Sequence, residues 1–405
     1  MSQDFPKTLV SERGRAIWAA AFLFIVYLLL AYGAYSVFTS QIPSGNDFYP
    51  RWRGTRALLL ESKDPYSEEV TLEIQRDMYG RPAREDEDQV AFAYPLYVSL
   101  FILPLAFFPY PQAQALWLSA LVFFTLATVI ILLRTFDWKP SPSGLLALSL
   151  WCLFLYPTAR SVILGQFSIL VLTLVALALW ALKHRRDLLV GSCLAFATIK
   201  PQMVFLLIPF LLLWALTQSR RRVVSGFIAV MMALLLISTL IFPSWIPGFL
   251  AGLGQYRLFT AKYTGSRSPL EILFASLLPT SISSQVAIFV SLLLGGYLFY
   301  HWGQVVKDRG QFWPAIFMTI IVTFLIPVQT GTTNQVLLLL PLIFWLSRWT
   351  KRRWVATSLS LILLLGPWLL FLSTVQGDAE QPIMFPPLPL VTLAMLWWRR
   401  SESDG

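Results

Sequence analysis

A few polar side chains, set into an otherwise apolar chain, have types and spacings that could do chemistry. Asp47 stands just past the first long apolar run, in Gly45-Asn46-Asp47-Phe48-Tyr49-Pro50-Arg51-Trp52-Arg53, with Arg56 three residues further on. A carboxylate can take a proton from a hydroxyl, and guanidinium groups hold phosphates by charge-assisted hydrogen bonds. If a helix starts after Pro50, Arg53 and Arg56 share a face at i, i+3 spacing. Two readings stand side by side. One is an interfacial cap with local ion pairs. The other is a proton-accepting carboxylate beside cations that hold an anionic lipid head group, since ionisable groups at a membrane are functional candidates.

Lys200 lies between two short apolar runs and is followed by Pro201 and Gln202. A lysine at membrane depth costs about 2.5–3.5 kcal/mol on insertion scales. It either snorkels to the interface or meets an anion such as a lipid phosphate, and the anion is the preferred reading. Arg160 is similar, alone in a short connection before Gly165-Gln166-Phe167-Ser168. Gln166 can donate to a hydroxyl or an oxyanion, or cap its helix neighbours. Arg257 sits with Trp245, Tyr256, Lys262 and Tyr263 between Pro243 and Pro279, a mixture that suits a sugar face, a phosphate or an ordinary membrane interface. Asn334 follows Thr330-Gly331-Thr332-Thr333 at another helix end. These sites meet only if the helices pack around one cavity.

The elements that must position them are membrane helices. Of 405 residues, 57% are hydrophobic and 13% charged, and the mean hydropathy is +0.65. Soluble domains carry about 25% charged residues, so a soluble enzyme and a disordered chain are both excluded. A spanning helix needs about 20 apolar residues. Twelve apolar segments are candidates, from Ile17–Phe38 and Ala113–Leu133 through Met203–Leu216 and Val336–Leu346 to Met384–Trp398; several are too short to cross unaided. With the N-terminus inside, 19 of the 31 basic residues fall in cytoplasmic segments. The net charge of +10 thus reads as the positive-inside pattern rather than as nucleic-acid binding, and both termini are expected in the cytoplasm. The N-terminal run has no small-residue cleavage site and is read as an uncleaved anchor.

The expected fold is an all-α polytopic membrane protein of about twelve transmembrane helices, one integral membrane domain over residues 1–405. Residues 39–111 form a large outer loop with juxtamembrane helices. Within it Thr39–Ala93 holds 11 of the 21 acidic and 7 of the 31 basic residues. Ser67–Tyr79 has Val70, Ile74 and Met78 on one helical stripe, either on the bilayer surface or packed on the bundle. Tyr94–Phe108, with Pro95 and Pro104, is expected as one helix along the outer membrane surface. Glu85-Asp86-Glu87-Asp88 reads as a solvated loop, since its spacing fits no calcium loop. Two His and two Cys build neither a metal site nor a disulfide framework. No Walker or dinucleotide glycine pattern is present.

The order of these features resembles glycosyltransferase family 87, in the GT-C superfamily. Asn46-Asp47-Phe48-Tyr49, Asp64-Pro65-Tyr66, Phe92-Ala93-Tyr94-Pro95, Gly165-Gln166 and Lys200-Pro201 carry the resemblance. Two steps depart from it: Leu96 stands where relatives have a second proline, and Ser168 where they have asparagine. The resemblance implies a GT-C-like bundle and a membrane hexosyltransferase, mannosyltransferases being among its members. It implies a polyprenyl-phosphate sugar as donor, a lipid or glycan hydroxyl as acceptor, and transfer on the outer face. By position it makes Asp47 the general base. Lys200, Arg160 and Arg257 become candidates for the donor phosphate. Arg51, Arg53, Arg56, Tyr66, Tyr94, Gln166 and Asn334 become candidates for substrate binding. A single carboxylate suits inversion by direct displacement. No cofactor is expected, with a divalent metal left open, and the expected location is a bacterial inner membrane. The competing readings are a transporter that flips a lipid-linked sugar and a non-catalytic scaffold of the cell envelope.

Overall fold

The computed structural model describes residues 12–41, 47–85, 87–264, 267–326, 331–348, 353–376 and 380–403; the side chains of 255–264 are not among those described. Asn46, Asp86 and Thr330, and the side chains of Tyr256, Arg257, Lys262 and Tyr263, therefore lie outside the described residues.

The twelve apolar segments are helical over most of their length, but not all of them are long enough to cross a bilayer as a single helix. Among the described residues, five are long and apolar enough to cross a bilayer. These lie in α1 (Glu12–Ala34), α5 (Tyr110–Thr135), α12 (Arg221–Ile241), α15 (Thr280–Val306) and α18 (Arg353–Thr374). On α1, Ile17, Trp18 and Phe22 lie exposed, as expected where the solvent is lipid. One further pair, α6 (Pro142–Phe154) and α7 (Tyr156–Ile163), is long and apolar enough only when taken together, and it is bent by 62°, as a broken span or a re-entrant loop would be. Arg160 therefore sits on α7 rather than in a connection.

The remaining core helices are short: α8 (Ser168–Lys183), α9 (Asp187–Ala197), α10 (Pro201–Val204), α11 (Leu207–Thr217) and α16 (Phe312–Thr323). The segment expected over Met203–Leu216 is split between α10 and α11. The one expected over Val336–Leu346 is a 3-10 stretch, Thr332–Leu338, followed by α17 (Leu339–Arg348). Pro209 and Pro341 give the reason. Each is the third residue of its helix, where its missing N–H costs nothing, and each forbids continuation from the residues before.

Helices α8, α9 and α12 form the packed centre, with α5 against α8. A Cβ added to Gly191 of α9 would lie 2.2 Å from the Val223 carbonyl oxygen of α12, and one on Gly226 would lie 2.9 Å from that of Leu188. Small residues here let two backbones touch, the usual basis of helix association in lipid. The turns at Lys183–Asp187 and Gln218–Arg221, with the Arg220–Asp187 ion pair, close one end of this centre; Ser168 and Lys200 lie at the other.

The segment between α1 and α5 holds α2 (Phe48–Glu61) and α3 (Glu68–Tyr79). Helix α3 is capped by Ser67. It buries Val70 and Ile74 completely and packs on α2, so of its two readings packing on the bundle holds. The single surface helix expected over Tyr94–Phe108 is instead a 3-10 turn, Leu96–Val98, and a four-residue helix, α4 (Ser99–Ile102), followed by turns. Pro104 stops it, and α2 binds it: the Trp52 indole donates to the Leu105 carbonyl at 3.1 Å and Arg56 to that of Ala106 at 2.7 Å. Helices α13 (Trp245–Thr264), α14 (Pro269–Leu277) and α19 (Pro387–Ser403) complete the described chain.

Candidate active site

Five residues from four separate stretches of sequence join in one hydrogen-bonded set. Asp47 is the N-cap residue of α2, but its side chain caps nothing. Its Oδ2 accepts from the Gln166 amide nitrogen. The Gln166 Oε1 accepts from Lys200 Nζ at 2.6 Å, and Lys200 donates further to Ser168 Oγ at 2.7 Å and Asn334 Oδ1 at 2.8 Å. Lys200 is 4% exposed, so its ammonium is held by three neutral oxygens instead of water. The cation must face the amide oxygen of Gln166, which turns the NH2 toward the carboxylate.

Trp117 of α5 holds the two ends of this chain together. Its ring stacks on Phe48, next to Asp47, with centroids 5.4 Å apart, and lies 4.6 Å from Phe167, next to Gln166. Its indole N–H donates to the Gly165 carbonyl at 2.8 Å. Gly165 has φ +66, a left-handed conformation in which a side chain is strained. That turn ends α7 and aims Gln166 at Asp47. Lys200 is likewise at a break, the N-cap of α10, and Asn334 lies in the 3-10 stretch.

Arg51 frames the carboxylate. It donates to the Asp47 carbonyl at 2.6 Å, and its guanidinium lies 4.6 Å over the Tyr94 ring. Burial raises the Tyr94 phenol to about 12 despite Arg51. Tyr66 donates to the Tyr94 carbonyl at 2.8 Å, so it supports the site from behind. The other candidates are engaged elsewhere. Arg53 pairs with Glu61 at 2.9 Å and with Glu73, and so does not share a purpose with Arg56. Arg160 lies 4.0 Å from Glu380 and over the Phe371 ring, with Tyr156 and Thr332 also donating to Glu380.

Sequence reasoning missed three residues. Ser168 was visible only as a departure from a motif, yet it takes one bond of Lys200. Trp117 lay unmarked within an apolar run. Asp88 belongs to an acidic run that reads as solvated, but it turns inward: its carboxylate accepts from the Val90 N–H and feels the charges of Asp47 and Arg51. Burial first, and the Asp47 charge second, push it up to about 6.

This arrangement pairs a carboxylate with a fixed buried cation two hydrogen bonds away. It can remove a proton at one point and stabilise negative charge at another. No curated protein and no solved structure matches the chain. A family model does match, over residues 92–327, which begins beyond Asp47 but contains Tyr94, Gln166, Ser168 and Lys200. Since that match covers more than half of the sequence, the chain belongs to glycosyltransferase family 87 and is an integral membrane glycosyltransferase.

Proposed function

We propose that the protein transfers a sugar from a polyprenyl-phosphate donor to a hydroxyl of a lipid or glycan, with inversion, and that Asp47 is the general base. The hydrogen-bonded chain from Asp47 through Gln166 to Lys200 carries this reading. The acceptor oxygen attacks the anomeric carbon while Asp47 takes its proton. The bond from that carbon to the phosphate oxygen breaks, and the phosphate leaves with its charge. Lys200 neutralises that charge as it develops, from a position fixed in advance. Gln166 keeps base and cation at a constant separation. Asn334 and Ser168 hold the ammonium; Arg51 and Tyr94 border the acceptor side. A lipid phosphate is already an activated leaving group, so the transfer needs no nucleotide. Arg53, Arg56 and Arg160, each with partners of its own, are not assigned to the donor.

The site lies at the end of the helical centre opposite the turns that carry Arg185, Arg186 and Arg220–Arg222. Basic loops stay in the cytoplasm, which supports transfer on the outer face of a bacterial inner membrane with both termini inside. The test uses protein in nanodiscs, polyprenyl-phosphate mannose, glucose, arabinose and galactose, and an extracted lipid acceptor pool, with mass spectrometry as readout. Mannose is the first donor to try. Transfer by the unaltered protein, with loss of at least a hundredfold in Asp47→Asn and retained folding, is the expected result. Unchanged transfer in Asp47→Asn refutes the general-base role.

A further inference from the structure

Glu380 is a carboxylate that the proposed mechanism leaves without a task, yet its side chain is only 14% exposed. One oxygen, Oε1, accepts from the Tyr156 hydroxyl and from the Thr332 hydroxyl, each at 2.5 Å, the length of a hydrogen bond to an ionised carboxylate. Arg160 Nε lies 4.0 Å from the same oxygen and supplies the opposite charge, without which a buried carboxylate is costly. The two hydroxyls belong to two elements of the candidate site. Tyr156 opens α7, whose far end leads through Gly165 to Gln166. Thr332 opens the 3-10 stretch and stands two residues before Asn334, which accepts from Lys200 at 2.8 Å.

The chain after Glu380 holds the same stretch a second time. The Gln335 side-chain amide donates to the Phe385 carbonyl at 2.7 Å. Residues 380–385 thus grip Asn334 from both sides, at Thr332 and at Gln335. Packing alone does not fix the stretch there. A cavity of about 130 Å³ lies against Tyr156, Thr332, Gln335 and Met384, so on that side the hydrogen bonds must do it. Ser161 of α7 adds one more tie, donating to the Thr333 carbonyl at 3.1 Å. We propose that Glu380 is a positioning residue: by joining the start of α7 to the start of the 3-10 stretch it fixes Asn334, and through Asn334 it sets where the Lys200 ammonium meets the leaving phosphate. This rests on the leaving-group role of Lys200.

The experiment measures kcat and the donor KM in nanodiscs, with whichever of the four donors transfers, beside thermal unfolding of the same samples. Misplacing a group at the reacting centre by about 1 Å costs up to about a hundredfold. Glu380→Ala should therefore lower kcat by about ten- to a hundredfold, leaving the donor KM unchanged. Glu380→Gln, which keeps an acceptor oxygen for both hydroxyls, should recover most of the loss. Thr332→Val, which removes one bond and no charge, should show a smaller loss of the same kind. The discriminating measurement repeats Glu380→Ala and Thr332→Val in Lys200→Met. A residue that acts through Lys200 has nothing left to position there, so each should cost no more than about twofold further, since effects along one network do not add. A residue that merely stabilises the fold costs the same factor in either background. Equal losses in both backgrounds, or a normal kcat in both Glu380→Ala and Thr332→Val, overturns the role of Glu380; if Glu380→Ala does not fold, Thr332→Val decides by the same comparison. Unchanged kcat in Lys200→Met, or no transfer by the unaltered protein from any donor, instead overturns the reading beneath it.

Discussion

Replacing Lys200 by methionine separates catalysis from stability. The side chain keeps its length and loses its charge. Three partners lose a donor: Gln166 Oε1, Ser168 Oγ and Asn334 Oδ1. Ser168 already donates to Asn334 Oδ1 at 3.3 Å, so that pair remains satisfied. Gln166 Oε1 alone is orphaned, at a cost of about 1–3 kcal/mol. Against this, a buried ammonium with no directly bonded carboxylate carries a desolvation penalty of several kcal/mol that methionine removes. The two roughly cancel, so Lys200→Met should melt within a few degrees of the unaltered protein, or above it. Activity should behave otherwise. A fixed group that stabilises charge in the transition state is worth about 10²–10³ in kcat. The assay is steady-state transfer in nanodiscs with both substrates varied, beside thermal unfolding of the same samples. An equal fall of kcat and kcat/KM marks an interaction made in the transition state. A normal kcat with only the donor KM raised would refute the leaving-group role. A large loss of stability that accounts for the lost activity would make Lys200 a structural residue.

Three further outcomes follow from the same geometry. Trp117→Leu removes two aromatic contacts, worth about 0.5–1.5 kcal/mol each, and orphans the Gly165 carbonyl; a lower melting temperature with a more than proportionate fall in kcat is expected, and an unchanged kcat would show that Asp47 and Gln166 need no such brace. Gly191→Val drives a side chain into the Val223 carbonyl 2.2 Å from its Cβ, so α9 and α12 must part; loss of the monodisperse peak in size-exclusion chromatography is expected, whereas Gly295→Val, with open space around it, should elute normally. Asp88, pushed up to about 6 by burial and by Asp47, takes up a proton in the folded protein at a higher pH than in the unfolded chain, so stability should rise as the pH falls from about 6 toward about 4; an identical pH dependence of thermal unfolding in Asp88→Asn would assign that rise to another group.

Several residues of the hydrogen-bonded set stand out in the sequence, but their meeting does not. Asp47, Gln166, Lys200 and Asn334 stand out because a polar side chain at an apolar boundary needs an explanation. Their convergence depends on where helices stop. Pro209 and Pro341 stop them in the middle of runs that hydropathy reads as continuous, because apolar content does not register a lost backbone donor. Arg160 looked free because its partner, Glu380, lies 220 residues away along the chain. Asp88 looked solvated because its neighbours are acidic, and the turn that points it inward is set by Tyr79 and Val90. The short spans were recognised as too short, and the large segment before α5 as the place to fold outside the helical centre. Its Tyr94–Phe108 stretch was misjudged because proline content signals a break without saying what fills it.

The breaks explain why so apolar a chain contains a polar site. An unbroken helix satisfies its backbone internally and offers lipid only side chains. Each of three site elements abandons that arrangement at the same level. Helix α7 ends in the left-handed Gly165, α10 begins at Lys200-Pro201, and residues 332–338 run as a 3-10 stretch before α17. Broken ends at membrane depth survive only where protein surrounds them, and here they surround one another. Trp117 donates to the carbonyl freed at Gly165, Tyr97 donates to that of Thr198 beside Lys200 at 3.2 Å, and Ser161 donates to that of Thr333 beside Asn334 at 3.1 Å. The backbone at each break is thus satisfied by a neighbouring element. The side chains at those breaks, Gln166, Lys200 and Asn334, are left to bind one another and Asp47. Straightening any one of these helices would withdraw its polar residue from the set, so the candidate site is built from short, irregular helices rather than from the long ones.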